Sequence, residues 1–310
     1  MIPESEQKQA IDQLVTCRDA MRWAMSAMAR GKVFLGHGTD NYWDEALALM
    51  LHVLALPWDS DPALLDSRLL ASERERFVAL VCRRVNERQP TPYLTGEAWF
   101  CGMPFFVDER VLIPRSPIGE LIEQGFAPWF DPDAESRVLD LCTGSGCIAI
   151  ACAMAMPQAR VEAADISADA LAVCEQNIQR HGLAGRVVPR QGDGLEAVQG
   201  RFDLIVSNPP YVDAADMASV PKEYRREPEL ALASGADGLD FTRRLLAGAA
   251  DYLSDDGILV VEVGNSAEAL AQCYPEVPFF WFEFSRGGDG VFMLSAAQLQ
   301  EYRDLFRERV

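Results

Sequence analysis

Two short stretches carry residues whose types and spacing can do chemistry. The first is D-L-C-T-G-S-G-C-I-A at 140–149, where Gly144, Gly146 and Ala149 satisfy G-x-G-x-x-G/A and Asp165 follows 21 residues after Gly144. Glycines at those positions let the backbone come close to a ligand, and a carboxylate at that distance can accept hydrogen bonds from two ribose hydroxyls. Any ribose-bearing cofactor meets those terms, a nicotinamide dinucleotide included. The second stretch is F-D-L-I-V-S-N-P-P-Y-V at 202–212. Its two prolines stiffen the chain and donate no backbone hydrogen bond. Asn208, before a proline, is pushed to extended backbone. The corner offers the Asn208 side-chain oxygen, the Pro209 carbonyl and the Tyr211 ring. Two converging acceptors beside a flat ring suit a planar NH2 group, from a carboxamide or from the amino group of adenine or cytosine.

Elements must bring these stretches together. From Arg137 onward, strand-like runs at 137–141, 161–165, 186–190, 202–207 and 257–263 alternate with helical runs such as 148–156, 168–181 and 239–253. That is the βαβ pattern of a parallel, doubly wound sheet. It ends differently: the runs 278–285 and 291–294, joined by R-G-G-D-G, predict a hairpin with one antiparallel strand. Upstream, apolar spacing predicts helices over 9–28, from about 42 to 54, and from Ser72 to before Pro90. The aromatic and β-branched stretch from Pro90 to Pro117 reads as a β-hairpin and connector. The expected organisation is a helical substrate-recognition domain at 1–89, a hairpin connector at 90–118 and a catalytic domain at 119–310.

Three details favour S-adenosylmethionine over a dinucleotide. Asp140 ends the first strand of the pattern, where a carboxylate suits the methionine ammonium and not a pyrophosphate. Asp193, in Q-G-D-G after the third, can accept from the adenine amino group. The terminal hairpin matches the antiparallel strand of class I methyltransferases and is not expected in a simple dinucleotide fold. With a sulfonium as electrophile, the corner's acceptors would hold both N–H bonds of the substrate and aim its nitrogen at the methyl group. They would also draw off positive charge as it develops. Tyr211 would pack on the planar group, and no side chain stands out as a general base.

Composition narrows the partners. A net charge of −19 argues against a general nucleic-acid binder and fits a basic protein partner. Eight cysteines without a C-x-x-C pair read as small apolar residues in a reducing cytosol, and no metal site is expected. No apolar run reaches the ~20 residues of a membrane span. A cytoplasmic protein is expected. The arginines at 74, 76, 83, 84 and 88 alternate with Glu73, Glu75 and Glu87, a pattern that predicts a solvated helix face. His37 and His52 lie away from both stretches, and a structural or substrate-orienting role is expected for them.

D-L-C-T-G-S-G-C-I-A-I, A-D-I-S, I-V-S-N-P-P-Y-V and V-L-I-P-R-S-P together resemble the HemK-like N(5)-glutamine methyltransferases. S-N-P-P-Y alone is shared with adenine-N6 methyltransferases; its combination with L-I-P-R and a helical N-terminal domain is more specific. F-L-G-H-G-T-D-N-Y-W-D-E-A at 34–46 is similar to the branch that methylates a glutamine of large-subunit ribosomal protein L-three. The sister branch acts on the Gly-Gly-Gln motif of release factors, usually lacks this segment, and commonly has glycine where Cys142 stands. The resemblance implies a class I S-adenosylmethionine-dependent fold. It implies that Cys142, Thr143, Gly144, Ser145 and Gly146 line the cofactor with Asp165 on its ribose, and that Ile166, Asp193 and Gly194 belong to the same site. Asn208, Pro209, Pro210 and Tyr211 would hold the glutamine, and Arg115 would help shape the cofactor pocket. The family often carries an aromatic residue at the position of Gly194, and an acidic pair where Ser116-Pro117-Ile118 follow. The expected substrate is a basic ribosomal protein, chosen by the helical domain, with no direct nucleic-acid substrate.

Overall fold

The computed structural model describes residues 1–309. The chain forms two compact units: Met1–Ala98 with Pro221–Arg226, and Trp99–Val220 with the chain from Glu227 onward.

The first unit is helical. One helix was expected over 9–28, yet two form, Glu4–Gln13 and Cys17–Gly31. Extended backbone separates them: Thr16 bridges Arg68, the Leu69 amide donates to the Val15 carbonyl, and a Thr16–Asp19 capping box starts the second helix. Asn41 caps the helix Tyr42–Leu54, its side chain accepting from the Asp44 amide. The expected solvated arginine face holds an exception. Arg84 is fully buried and bonds to Glu45 at 2.7 Å, to the Phe34 carbonyl at 2.7 Å and to Glu223 at 3.4 Å. Arg88 also reaches Glu223, at 3.2 Å. A buried charge persists only when paired and hydrogen-bonded. Here the partners come from another helix, at Glu45, and from a segment more than a hundred residues away, at Glu223, which helical periodicity cannot reveal. His37 is buried with its ring 4.6 Å from Tyr224, whereas His52 is exposed.

A short hairpin, β1 (Glu97–Phe100), which begins in the last two residues of Met1–Ala98, and β2 (Met103–Phe106), precedes the seven-stranded sheet of the second unit. The strands are β3 (Arg137–Leu141), β4 (Arg160–Asp165), β5 (Val187–Gln191), β6 (Phe202–Ser207), β7 (Leu253–Glu262), β8 (Phe280–Trp281) and β9 (Val291–Ser295). Their order is β5-β4-β3-β6-β7-β9-β8, parallel except for β9. This is the expected class I methyltransferase architecture. The run 278–285 yields only two strand residues, because β9 takes the place beside β7 and leaves β8 as a short edge. Both sheet faces are covered. Val138, Val161 and Leu204 face one apolar cluster with the helix Cys147–Ala155, and Leu139, Ile205 and Leu259 face another with the helix Asp240–Ala249. Burial on both faces explains why these strands read as continuous apolar runs.

Asn177, fully buried in the helix Ala168–Arg180, ties the hairpin to the glycine loop. Its oxygen accepts from the Phe106 amide at 2.7 Å. Its NH2 donates to the carbonyls of Phe106 and Ser145, at 3.0 and 2.9 Å. Removing it strands three backbone groups. Asn177→Ala is expected to cost on the order of 3 kcal/mol, read as a lower denaturation midpoint in urea.

Candidate active site

β3 lies between β4 and β6, so the chain leaves the sheet in opposite directions on either side of it. The crevice beyond the carboxyl ends at such a switch point is where ligands of open α/β sheets bind. A cavity of about 720 Å³ occupies this place, and Cys142, Gly144, Asp165, Ile166, Gly194 and Asn208 reach its wall.

The glycine loop is held from beneath. Thr143 donates its amide to the Ala164 carbonyl at 3.0 Å, which hangs the loop on the end of β4. Asp140 is fully buried: its Oδ2 accepts from the Thr143 hydroxyl at 2.5 Å and from the Ala149 amide at 3.0 Å, while Oδ1 has no protein partner. Burial pushes its carboxyl up to about 7, against the opposing effect of those bonds. Asp140 clamps the loop and does not reach the cavity wall, where it was expected to meet an ammonium group. Thr143, Ser145 and Gly146 likewise support the loop from behind and do not line the cavity.

The two glycines do different work. Gly144 has φ +55° and nothing within 4 Å of where a Cβ would be, so the cavity side of the loop is clear. A Cβ on Gly146 would sit 2.6 Å from the Cys174 sulfur, so this glycine lets the following helix pack on its neighbour. Cys142 also takes a left-handed conformation, φ +59°. The glycine common at this position in the sister branch would adopt it without strain; cysteine holds it at a cost of roughly 1–2 kcal/mol.

Asp165 accepts from the Gly144 amide through Oδ2 and from the Ser167 amide through Oδ1, both at 2.9 Å. Burial raises its pKa, and the backbone bonds act against that rise. Asp193 also lines the cavity, but both its oxygens face Arg244, at 2.7 and 3.0 Å. The guanidinium hydrogen bonds hold the Asp193 carboxyl below its ordinary range. The expected adenine acceptor is therefore already engaged by a cation.

At the corner after β6, Asn208 and Pro210 reach the wall, and Pro209 is buried behind them. Asn208 Oδ1 is buried without a protein hydrogen-bond partner. Tyr211 does not line the cavity; its hydroxyl donates to Glu262 Oε1 at 2.9 Å. Arg115, expected at the cofactor pocket, instead pairs with Glu227 through two bonds of 2.6 and 2.7 Å and lies off the wall. Its partner comes from a loop far along the chain, so the L-I-P-R motif could not reveal the pairing.

Comparison with known proteins completes the picture. The profile "Methyltransferase small domain" matches residues 124–236. The ribosomal protein uL3 glutamine methyltransferase of Francisella tularensis subsp. tularensis is 46% identical over 310 residues, 99% of each chain. That of Bordetella pertussis is 50% identical over 289 residues, covering 93% of this chain and 97% of its own. The chain belongs to the ribosomal protein uL3 glutamine methyltransferase family. A methyltransferase structure from Pyrococcus furiosus is 18% identical and covers 63% of this chain and 89% of its own, with a TM-score of 0.46.

S-adenosylmethionine is the cofactor of this uL3 methyltransferase relative, and the cavity suits it. The cleared side of Gly144, the Asp165 carboxylate and the exposed Ile166 side chain lie together on one wall of that cavity. Sequence reasoning missed Phe241. Its ring lies 3.5 Å from the position of a Cβ on Gly194, and it lines the cavity beside Arg244. An aromatic surface is thus present where Gly194 lacks one, donated by the helix Asp240–Ala249. No local motif marks it, because the residue is 47 positions away and meets Gly194 only in the folded sheet. Among the described residues no group of three or more His, Cys, Asp or Glu is arranged to hold a metal ion.

Two outcomes are expected. Phe241→Ala should weaken binding of S-adenosylhomocysteine roughly tenfold, given ~1–3 kcal/mol for stacking a base on an aromatic ring, as measured by calorimetry. The second concerns pH. Asp140 has a folded pKa raised from 3.8 to about 7, so the folded state binds the proton more tightly than the unfolded chain. Its contribution to stability is present below the unfolded value and is lost as pH rises toward 7. Urea denaturation of the ligand-free protein between pH 5 and 8 should show falling stability with rising pH. Asp140→Asn should flatten that slope, with the remainder due to Glu262, whose burial also lifts its carboxyl to about 7, and to Asp165, which burial raises as well.

Proposed function

We propose that this protein transfers the methyl group of S-adenosylmethionine to the side-chain nitrogen of a glutamine in ribosomal protein uL3 of the large subunit. Family membership at up to 50% identity supports the reading. The structural observation that carries it is the buried, unpartnered side-chain oxygen of Asn208, a residue of the cavity wall. Such an acceptor costs ~1–3 kcal/mol when left unsatisfied. It is explained by a donor that arrives with the substrate.

A carboxamide NH2 supplies that donor and a second one for the Pro209 carbonyl. Held by both, the nitrogen cannot rotate, and its face is turned toward the electrophile. The bound cofactor supplies a methyl group activated on a sulfonium. As the nitrogen gains positive charge, the Asn208 oxygen and the Pro209 carbonyl draw on the N–H bonds and stabilise it. The alkylated amide then loses its proton readily, so no general base is required. The net charge of −19 favours a basic ribosomal protein as partner over a nucleic acid. The helical region would select it, in the cytoplasm where ribosomal proteins are made. Among the described residues no helix is long and apolar enough to cross a membrane.

The test is methyl transfer from labelled S-adenosylmethionine to purified uL3, with release factors and nucleic acid as competitors and peptide mapping of the product. Label on a uL3 glutamine is expected; label on release factor or nucleic acid instead would overturn the reading. Asn208→Ala should lower turnover by 10²–10³, the effect of removing one transition-state hydrogen-bond partner, with little change in cofactor affinity.

A further inference from the structure

We propose that Glu262 is a positioning residue for methyl transfer: it anchors Tyr211 and thereby holds the Asn208–Pro210 corner in the geometry that presents its acceptors. The inference rests on the reading given under Proposed function.

Glu262 is the last residue of β7, and its neighbour Val261 pairs with Ser207 at the end of β6. The carboxylate therefore stands beside the exit from which the corner springs. It is only 4% exposed, at the end of the apolar run Ile258–Val261. An ionisable group is costly there unless it is hydrogen-bonded. Both its oxygens are engaged: Oε1 accepts from the Tyr211 hydroxyl at 2.9 Å, and Oε2 from the Ser116 hydroxyl at 2.5 Å.

Tyr211 is held at two further points. Its carbonyl accepts from the Ser266 hydroxyl at 2.8 Å. Its ring packs on Gly264, where a Cβ would come within 2.6 Å of the ring carbon Cε2. Tyr211 is thus fixed at the hydroxyl, the ring and the backbone. Only Pro209 and Pro210 separate it from Asn208, and their φ angles are locked by their rings. A tyrosine free to swing would let this short, stiff segment tilt, and Asn208 Oδ1 would tilt with it. Glu262 removes that freedom without touching the reacting atoms. The Tyr211 hydroxyl is engaged by Glu262 and the residue is not part of the cavity wall, so Tyr211 serves the corner through this anchor.

The experiment compares the wild type with Glu262→Gln, Glu262→Ala, Tyr211→Phe and the two double variants. Each is assayed for kcat and KM with labelled S-adenosylmethionine and uL3, and for S-adenosylhomocysteine affinity by calorimetry. Glu262→Ala and Tyr211→Phe should each lower kcat, by up to about a hundredfold as for a small misplacement of reacting groups, with KM and cofactor affinity little changed. Glu262→Gln should recover most of the rate, since its amide oxygen can accept from Tyr211 and its NH2 can donate to Ser116. The Glu262→Ala/Tyr211→Phe double variant should be no slower than the slower single one. Additive losses, an unchanged kcat in Tyr211→Phe, or a loss confined to KM would overturn the proposal. Should Glu262→Ala fail to fold, Tyr211→Phe alone and combined with Glu262→Gln carries the same comparison. If the wild type does not methylate uL3, the substrate reading fails separately. The anchor is then read from the ultraviolet titration of the Tyr211 phenol, identified by its loss in Tyr211→Phe. A shifted titration in Glu262→Gln supports the anchor, and an unshifted one overturns it.

Discussion

Parallel pairing of β3 with β4 on one side and β6 on the other is the constraint on which the active site depends. The register sets Leu141 beside Ala164 and beside Ser207, so three strands end at one level. From those three ends spring the glycine loop, Asp165 and the Asn208 corner. The loop leaves its cavity side clear at Gly144, and Asp165 and Asn208 line the same wall. The sheet brings them together with both faces buried, which keeps the framework rigid while the connecting segments carry the chemistry.

Buried acids organise the segments around this frame. Asp140 clamps the glycine loop, Glu262 engages Tyr211 and Ser116, and Glu227 receives Arg115 and the Ile113 amide. Each sits where an apolar residue would be cheaper to bury; Asp140 binds its own loop together, whereas Glu262 and Glu227 join segments distant in sequence. In the helical unit, Arg84 does the same with the sign reversed. It gathers Glu45, Glu223 and the Phe34 carbonyl around one fully buried guanidinium. Interior charge of this kind is a poor source of net stability, but it makes the geometry of loops definite.

Much was legible in the residue order. β3 and β6 coincide with the predicted runs, because strands buried on both faces are continuous apolar stretches with sharp ends. The terminal hairpin was visible in its turn, although its first strand shrank to two residues once β9 lay beside β7. The helices Glu4–Gln13 and Cys17–Gly31 were read as one, since apolar spacing continues through Leu14 and Val15, and only the bridge to Arg68 and Leu69 interrupts it. The segment Pro221–Arg226 gave no sign of its place in the helical unit.

The sequence by itself determined the parts of the candidate site: a glycine loop, an acid 21 residues beyond Gly144, and a rigid N-P-P-Y corner rich in acceptors. Those properties are local, fixed by side-chain chemistry and by the φ limits of glycine and proline. Tertiary structure alone decided which of those residues face the ligand and which stand behind them. Asp140 and Tyr211 turned from presumed contacts into supports, Arg115 moved to Glu227, and Phe241 supplied the aromatic surface missing at Gly194. Asp140 bonds within its own loop, but the outcomes at Tyr211, Arg115 and Phe241 depend on partners far apart along the chain, and only strand order and register bring such partners within hydrogen-bond or van der Waals reach.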